Sequence, residues 1–200
     1  MLKVLRPAVT RVLNPLGRAL ADHGISPNVI TVVGTLGAVG GALAFYPRGV
    51  FFWGSVVITV FVLLDLLDGV VARITGSTGK WGAFLDSTMD RVADAAIFSG
   101  LILWAMDRDR PLVGALALFC LVAGAVVSYT KARAEGLGMT CDVGVAERPE
   151  RLIVILVSTA FSEFLPILLP IGLALLAAAS AFTVYQRLIT VYRQAVPGDR

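Results

Sequence analysis

Two pairs of aspartates lie where a membrane protein rarely carries charge. Asp65 and Asp68 come near the end of one long apolar segment, and Asp86 and Asp90 near the start of the next. A carboxylate at the centre of a membrane helix costs about 2.5–3.5 kcal/mol on insertion scales, so such residues usually face a polar cavity and mark function. Spacings of three and four residues place the members of each pair on one helix face.

These carboxylates suggest a metal-centred site for phosphoryl chemistry. A short turn joins the two segments, so we expect antiparallel neighbouring helices whose carboxylates meet. An all-oxygen set of ligands favours hard cations over zinc. Two such ions about 3.5–4 Å apart can hold a diphosphate and stabilise a displacement at phosphorus. The sequence therefore predicts two Mg²⁺ ions, with Mn²⁺ as an alternative, held by Asp65, Asp68, Asp86 and Asp90.

Small and basic residues accompany the aspartates. Gly69 and Ala72 leave room for a ligand or for close helix packing, and Gly82 permits close approach of the two helices. Arg73 can donate a fork of hydrogen bonds to a phosphate. Two alternatives remain open at this point: the aspartates could pair with Arg73 and Arg91, or they could line a proton or cation pathway.

Composition identifies the class of protein. Of 200 residues, 57% are hydrophobic and only 16% are charged, which is below the roughly 25% of typical soluble domains. The mean hydropathy is +0.83. We therefore expect an integral membrane protein of one domain. The two cysteines and the single histidine have no metal-ligand spacing, so we expect no zinc site. The net charge of +3 comes from cations that flank apolar segments, which favours lipid headgroups over nucleic acid as partners.

The predicted fold is an all-α integral membrane protein with six transmembrane helices after an N-terminal amphipathic helix. In residues 1–22, apolar residues recur every three or four positions and the cations occupy other positions, which suits a helix in the membrane interface or one that packs against a partner. Ser26 and Pro27 have the chemistry of a helix start. Pro166 and Pro170 are expected to bracket a turn. The six predicted spans cover residues 29–46, 50–71, 82–105, 112–129, 150–165 and 171–192.

The distribution of lysine and arginine predicts the orientation. Six spans put both termini on one side of the membrane. Of the 17 lysines and arginines, only Arg48, Arg108 and Arg110 fall on the other side. The positive-inside rule then places both termini, the aspartates and the 131–151 region in the cytoplasm. We expect a multi-pass protein of the cell (plasma) membrane.

A second cluster of polar residues lies on the predicted cytoplasmic side. Cations that converge on a cavity suit an acceptor carrying its own phosphate. Membrane topology and headgroup binding would explain the same cations without a pocket. Arg193 lies near the last of them and is an alternative to it. The candidate residues are Ser128, Lys131, Arg133, Arg151 and Arg187.

The spacing of the aspartates resembles the motif of the CDP-alcohol phosphotransferase family at every fixed position. The matching string is Asp65-x2-Asp68-Gly69-x2-Ala72-Arg73-x8-Gly82-x3-Asp86-x3-Asp90. The resemblance implies a family domain over residues 23–195, after the helix 1–22 and before a tail 196–200. Members transfer a phosphatidyl-type group from a CDP-linked lipid to an alcohol and release CMP. The resemblance also implies a homodimer.

The resemblance assigns roles to these residues. It implies that Asp65, Asp68 and Asp86 hold the metals and that Asp90 adds a ligand or acts as general base. The nucleotide of the CDP-lipid would be bound by Gly69, Ala72, Arg73 and the segment Asn28, Val29, Ile30, Thr31.

Two further strings bear on the acceptor. Ser128-Tyr-x-Lys-Ala-Arg-Ala-Glu and Glu147-Arg-Pro-Glu-Arg resemble the actinobacterial branch of the family, which joins CDP-diacylglycerol to inositol 1-phosphate. This likeness implies that Ser128, Lys131, Arg133, Arg151 and Arg187 form the inositol-phosphate pocket. Glycerol 3-phosphate is the alternative acceptor, and a free alcohol fits the basic residues less well. A cation transporter remains a further alternative, although it does not require Gly69, Ala72 and Arg73.

Overall fold

The computed structural model describes the backbone of residues 6–196 and the side chains of residues 14–64 and 66–196. The described residues form helices and no strand, which confirms the all-α prediction. The helices are α1 (Arg6–Asp22), α2 (Pro27–Phe45), α3 (Phe51–Thr75), α4 (Lys80–Asp107), α5 (Pro111–Gly136), α6 (Arg148–Ser162) and α7 (Leu168–Ala195), and a 3-10 turn (Tyr46–Arg48) follows α2. Residues 1–5 of the predicted amphipathic segment and 197–200 of the tail lie outside the described part.

Four of the described helices are long and apolar enough to cross a membrane. They cover Pro27–Arg48, Phe51–Thr75, Pro111–Gly136 and Leu168–Ala195. By contrast, α6 has only 15 residues, fewer than the roughly 20 that a perpendicular span needs. The first half of α4 carries both Asp86 and Asp90. Four of the six predicted spans therefore have the length and composition of a membrane-spanning helix.

Local backbone signals set several helix ends. Pro27 begins α2 as predicted, and Ser26 has the extended backbone of an N-cap, but its side chain makes no capping hydrogen bond. Gly76 ends α3 with a φ of +65°, a left-handed conformation that glycine adopts without strain. Pro170 differs from its prediction, because it lies inside the first turn of α7 and not in the preceding loop. A proline is tolerated there since the first turn leaves its N–H groups unpaired.

The chain forms two compact units, one from the first hundred residues and one from the second hundred. In the first unit, α3 packs against both α2 and α1. Ile30, Leu67 and Val71 form a buried cluster at the ends of these helices. A Cβ atom on Gly17 would lie only 2.5 Å from Val70 Cγ1, so α1 approaches α3 closely there. The amphipathic helix is thus fixed beside the segment that carries Asp68.

In the first unit, α4 touches α2 through a glycine. A Cβ atom on Gly100 would lie 2.8 Å from the carbonyl oxygen of Ala42. We expect Gly100→Ala to lower the stability by about 1–3 kcal/mol, because the backbone must shift to admit the methyl group. Thermal unfolding in detergent measures the change. Gly40→Ala is the matched control, since no neighbour lies within 4 Å of a Cβ atom there. Equal melting temperatures for the two variants would contradict this packing.

In the second unit, α7 packs against α5 and α6. Leu173 is fully buried, and its carbonyl accepts a hydrogen bond of 3.3 Å from Cys120 Sγ. A Cβ atom on Gly172 would lie 2.4 Å from Ser158, so α6 and α7 are in close contact. The loop after α5 also folds inward, since Cys141 is only 1% exposed. The contacts at Cys120, Ser158 and Gly172 join the three helices, and the buried loop lies between the ends of α5 and α6 that carry predicted acceptor residues.

Candidate active site

The start of α2 is bonded to the first half of the aspartate motif. Thr31 Oγ1 donates a hydrogen bond of 2.5 Å to Asp68 Oδ2, and it also lies 3.1 Å from the carbonyl oxygen of Pro27. Thr31 is buried. Hydrogen bonds to a carboxylate are shorter and stronger than neutral ones, so this contact fixes the orientation of Asp68. It joins a residue of the predicted nucleotide segment to a predicted metal ligand.

The same turn of α2 also reaches the second half of the motif. A Cβ atom on Gly82 would lie 3.8 Å from Asn28 Oδ1. Asn28 and Thr31 are three residues apart and share a helix face. Among the described residues, the neighbour beside Gly82 is therefore on α2, whereas the sequence suggested α3. One turn of α2 thus contacts residues from both halves of the motif.

The two apolar residues of the predicted nucleotide segment have other surroundings. Ile30 is only 8% exposed and packs with Leu67 and Val71 in the core of the first unit. Val29 is 52% exposed. Only the polar members of the segment, Asn28 and Thr31, have side chains beside the motif. Ile30 anchors the turn that presents them.

Gly69 and Arg73 lie next to each other on α3. A Cβ atom on Gly69 would lie 3.9 Å from Arg73 Nη1, so the guanidinium lies back over the preceding turn. Arg73 is exposed, and Gly69 and Ala72 are half-buried. An exposed cation over a surface without bulky side chains is accessible to an anionic ligand. The role of Gly69, Ala72 and Arg73 in nucleotide binding stays a prediction.

The predicted metal ligands have different exposures. Asp68 and Asp90 are half-buried, whereas Asp86 is exposed. Among the side chains that the structure describes, which do not include that of Asp65, no three acidic, histidine or cysteine groups are close enough to hold a metal ion. The carboxylates nevertheless have the donor chemistry that a hard divalent cation requires. The four-carboxylate centre therefore stays a prediction.

Arg91 lies beside Asp90 on α4. Its Nη2 atom is 3.4 Å from Asp94 Oδ2 and 3.8 Å from Asp90 Oδ2. The alternative in which the motif aspartates form ion pairs with arginines is therefore partly met at Asp90. The closer partner of Arg91 is Asp94, which is outside the motif. At 3.8 Å and partial exposure, the contact with Asp90 is weak.

Arg187 is the most deeply fixed of the predicted acceptor residues. It is 3% exposed, and its Nε donates a hydrogen bond of 2.9 Å to the carbonyl oxygen of Val143. Its Nη1 donates to the carbonyl oxygen of Val127 on α5, and its Nη2 lies 3.8 Å from Glu147 Oε1. Arg193, the alternative on the same helix, is exposed. Of the two arginines, only Arg187 is therefore built into the unit.

Arg151 and Ser128 meet at one glycine of α5. Arg151 is 3% exposed, and its Nη1 donates a 3.3 Å hydrogen bond to the carbonyl oxygen of Ala146. A Cβ atom on Gly124 would lie 3.2 Å from Arg151 Nε, so the guanidinium lies against the α5 backbone. Ser128 Oγ donates to the carbonyl oxygen of Gly124 at 3.1 Å. The structure thus brings two of the predicted residues to one place on α5.

Lys131 is bonded to the loop that follows its own helix. Its Nζ atom lies 2.6 Å from Asp142 Oδ1 and 3.8 Å from Glu135 Oε1. Arg133 is exposed. The ammonium of Lys131 is therefore already in contact with a carboxylate, whereas Arg133 presents its charge to the surroundings.

Two residues that hold this loop were not predicted from the sequence. Gln194 Oε1 accepts a 3.1 Å hydrogen bond from the backbone N–H of Thr140, and Gln194 Nε2 donates a 2.7 Å bond to the carbonyl oxygen of the same residue. Thr183 Oγ1 accepts from the backbone N–H groups of Val145 and Ala146. A single threonine or glutamine in a helix has no spacing signal, so only the tertiary structure identifies them.

Comparison with known proteins gives the family. Residues 24–185 match the model of the CDP-alcohol phosphatidyltransferase family. A phosphatidylinositol phosphate synthase of Streptomyces avermitilis is 48% identical, over 98% of this chain and 84% of that protein.

Solved structures agree in fold as well as in sequence. The phosphatidylinositol phosphate synthase of Mycobacterium tuberculosis with CDP-DAG bound has a TM-score of 0.87 and 46% identity, over 95% of this chain and 98% of that one. The same enzyme in complex with manganese and citrate has a TM-score of 0.86 and 45% identity, over 94% and 92% of the two chains. The chain belongs to the CDP-alcohol phosphatidyltransferase family and is a transferase of phospholipid biosynthesis.

Proposed function

We propose that this chain transfers the phosphatidyl group of CDP-diacylglycerol to a hydroxyl of inositol 1-phosphate, giving phosphatidylinositol phosphate and CMP. The observation that carries the reaction is the 2.5 Å bond between Thr31 and Asp68, which ties the nucleotide segment to the complete motif. The bound CDP-DAG of the M. tuberculosis enzyme supports the same donor. Release of CMP that depends on added inositol 1-phosphate tests the proposal.

The donor nucleotide would bind where α2 meets the motif. Asn28 and Thr31 offer polar side chains there, and Val29 and Ile30 hold the turn in place. Gly69 and Ala72 have small side chains and so leave space for the nucleotide against α3. Arg73 supplies a guanidinium for a phosphate of the diphosphate.

The chemistry of the aspartates fits a divalent cation. Asp65, Asp68, Asp86 and Asp90 would hold two Mg²⁺ ions, or Mn²⁺, which when bound neutralise the charge of the diphosphate. The manganese in the M. tuberculosis enzyme supports a divalent ion in this family. The hydrogen bond from Thr31 holds one of these carboxylates in a fixed orientation.

Asp90 would act as the general base. It accepts the proton of the acceptor hydroxyl while that oxygen attacks the β-phosphorus, counted from cytidine, which carries the lipid. A new P–O bond forms, the bond between this phosphorus and the CMP oxygen breaks, and CMP leaves with the electron pair. Arg73 stabilises the negative charge on the departing phosphate.

The acceptor phosphate would bind the cations of the second unit. Arg151 and Arg187 are buried, and backbone carbonyls hold their guanidinium groups in fixed orientations. Glu147 lies 3.8 Å from Arg187 Nη2, and an acceptor phosphate would add further negative charge to offset the lost hydration of these buried cations. Ser128 adds a hydroxyl beside Arg151, and Lys131 and Arg133 add charge at the more exposed end of α5.

The topology completes the proposal. We propose that α2 to α7 all cross the cell membrane, that α1 lies in its interface, and that both termini and the active site are cytoplasmic. Four of these helices have the length and composition of spans, and the lysines and arginines are distributed as the positive-inside rule requires. We also propose that the enzyme works as a homodimer, since the family resemblance implies one.

Asp142 is expected to compete with the acceptor phosphate for Lys131. In Asp142→Asn, the KM for inositol 1-phosphate should fall by up to about fivefold, because an exposed ion pair is worth up to about 1 kcal/mol. Steady-state kinetics at low ionic strength measure this change. Asp107→Asn is the matched control, since it removes a similar exposed carboxylate, paired with Arg108 at 3.2 Å. A KM that rises in Asp142→Asn would contradict the competition.

A further inference from the structure

We propose that Thr183 is a positioning residue for the acceptor phosphate, because its buried hydroxyl holds the loop that orients Arg151 and Arg187. This inference rests on the proposed function, in which these two arginines bind the phosphate of the acceptor. Thr183 itself would not touch the substrate. It acts through the backbone of residues 143–146.

The hydroxyl of Thr183 uses its whole hydrogen-bonding capacity. Thr183 is fully buried, and its Oγ1 donates a 2.8 Å hydrogen bond to the carbonyl oxygen of Ala179. The same oxygen accepts bonds of 3.2 Å from the N–H of Val145 and 3.0 Å from the N–H of Ala146. One donor and two acceptor sites are all that a threonine offers. The loop is therefore attached to α7 at this atom.

The carbonyl groups of the same loop hold the two arginines. Ala146 gives its N–H to Thr183 and its carbonyl oxygen to Arg151 Nη1, at 3.0 and 3.3 Å. Val143, three residues earlier, accepts the 2.9 Å bond from Arg187 Nε. A guanidinium is planar and its donors point in fixed directions, so a shift of these carbonyls turns the group. Thr183 thus contributes to the orientation of both cations, alongside the bond from Arg187 Nη1 to the carbonyl oxygen of Val127.

Gly144 permits the close approach of the loop to α7. Its φ is +146°, and a Cβ atom there would lie 2.6 Å from Thr183 Cγ2. Residues other than glycine rarely adopt this backbone conformation, and the methyl group of Thr183 occupies the space that a Cβ atom would need. The loop is therefore shaped to lie on this one residue of α7.

A test separates positioning from general stability. Thr183→Val keeps the shape of the side chain but leaves the N–H groups of Val145 and Ala146 without their acceptor. We expect the KM for inositol 1-phosphate to rise about tenfold, as for one lost hydrogen bond to a charged group. The KM for CDP-diacylglycerol and kcat should stay within about twofold of the unaltered enzyme. Thr183→Ser keeps the hydroxyl and should restore the acceptor KM.

Ser180→Ala is the matched control. Ser180 is also fully buried on α7, and its Oγ has no hydrogen-bond partner among the described residues. This variant should keep all three kinetic constants. If Thr183→Val does not fold, Gly144→Ala gives a second test, since it moves the loop and leaves the α7 side chains in place. It should raise the acceptor KM as well.

The results distinguish a failure of the positioning role of Thr183 from a failure of the proposed reaction. An unchanged acceptor KM in Thr183→Val or Gly144→Ala overturns the positioning role, and so does a Thr183→Ser enzyme that is not restored. Equal changes in both KM values and in kcat overturn it too, since a purely structural role predicts them. An unaltered enzyme that does not use inositol 1-phosphate refutes the proposed function instead.

Discussion

Asp90→Asn is expected to lower turnover by about 10²–10⁴-fold, which is the contribution of a positioned general base. The amide has the shape of the carboxylate but cannot accept the proton of the acceptor hydroxyl. Asp90 is half-buried on α4 next to Arg91, so an amide of equal size should fit without repacking. Binding of CDP-diacylglycerol should persist in large part, because Asp68 and Arg73 remain.

Two measurements on the same variant check this expectation. CMP release gives the turnover, and titration with CDP-diacylglycerol gives the donor affinity. Asp94→Asn is the matched control, since Asp94 lies one helical turn further along α4, is buried and pairs with Arg91 at 3.4 Å. It should retain most of the activity. Near-normal turnover in Asp90→Asn would refute the role of Asp90 as base.

Asp68→Asn is expected to remove both activity and donor binding. The amide oxygen can still accept the hydrogen bond from Thr31, so the start of α2 should stay in place. The lost negative charge, however, weakens the site for a divalent cation. We expect turnover to fall about a thousandfold or more, because metal stabilisation of phosphoryl transfer is worth several kcal/mol. Unlike Asp90→Asn, this variant should also lose metal-dependent affinity for CDP-diacylglycerol.

Electron paramagnetic resonance of added Mn²⁺ measures the binding of the cation directly. Thr31→Val is the comparison, since it removes the hydrogen bond and keeps the carboxylate. It should bind Mn²⁺ and show a much smaller loss of turnover. If Asp68→Asn binds Mn²⁺ and the donor as tightly as the unaltered enzyme does, Asp68 is not a metal ligand.

Local chemistry explains which parts of the fold the sequence predicted. Pro27 fixes its own φ and Gly76 adopts a left-handed conformation without strain, so the start of α2 and the end of α3 follow from local chemistry. The ends of α6 do not, because the helix stops at Ser162 although apolar residues continue to Leu165. Hydropathy alone does not identify the residue at which the helix ends within a run of apolar residues.

The residues of the candidate site also differ in whether the sequence alone could predict them. The spacing of the aspartates placed each pair on one helix face, since helical periodicity is a local property. The bond from Thr31 to Asp68 joins residues 37 positions apart, and only the family resemblance pointed to that segment. Thr183 and Gln194 hold backbone groups 37 to 54 positions away. No local sequence pattern encodes such contacts, so these residues could be identified only from the tertiary structure.

Ile30 illustrates a limit of a motif read as a continuous segment. The resemblance included it among the nucleotide-binding residues, but its side chain is buried against Leu67 and Val71. A helix turn presents only part of its surface to one neighbour, so consecutive residues serve different purposes. Asn28 and Thr31 lie beside the motif, and Ile30 fixes the turn from behind.

The identity of the acceptor can be measured in one experiment. Purified protein is supplied with CDP-diacylglycerol and a divalent cation, together with radiolabelled inositol 1-phosphate, inositol or glycerol 3-phosphate in parallel reactions. We predict that label from inositol 1-phosphate enters the lipid fraction with an equal amount of released CMP, whereas label from free inositol does not. Incorporation of glycerol 3-phosphate alone would contradict the proposed acceptor and leave only the class of reaction in place.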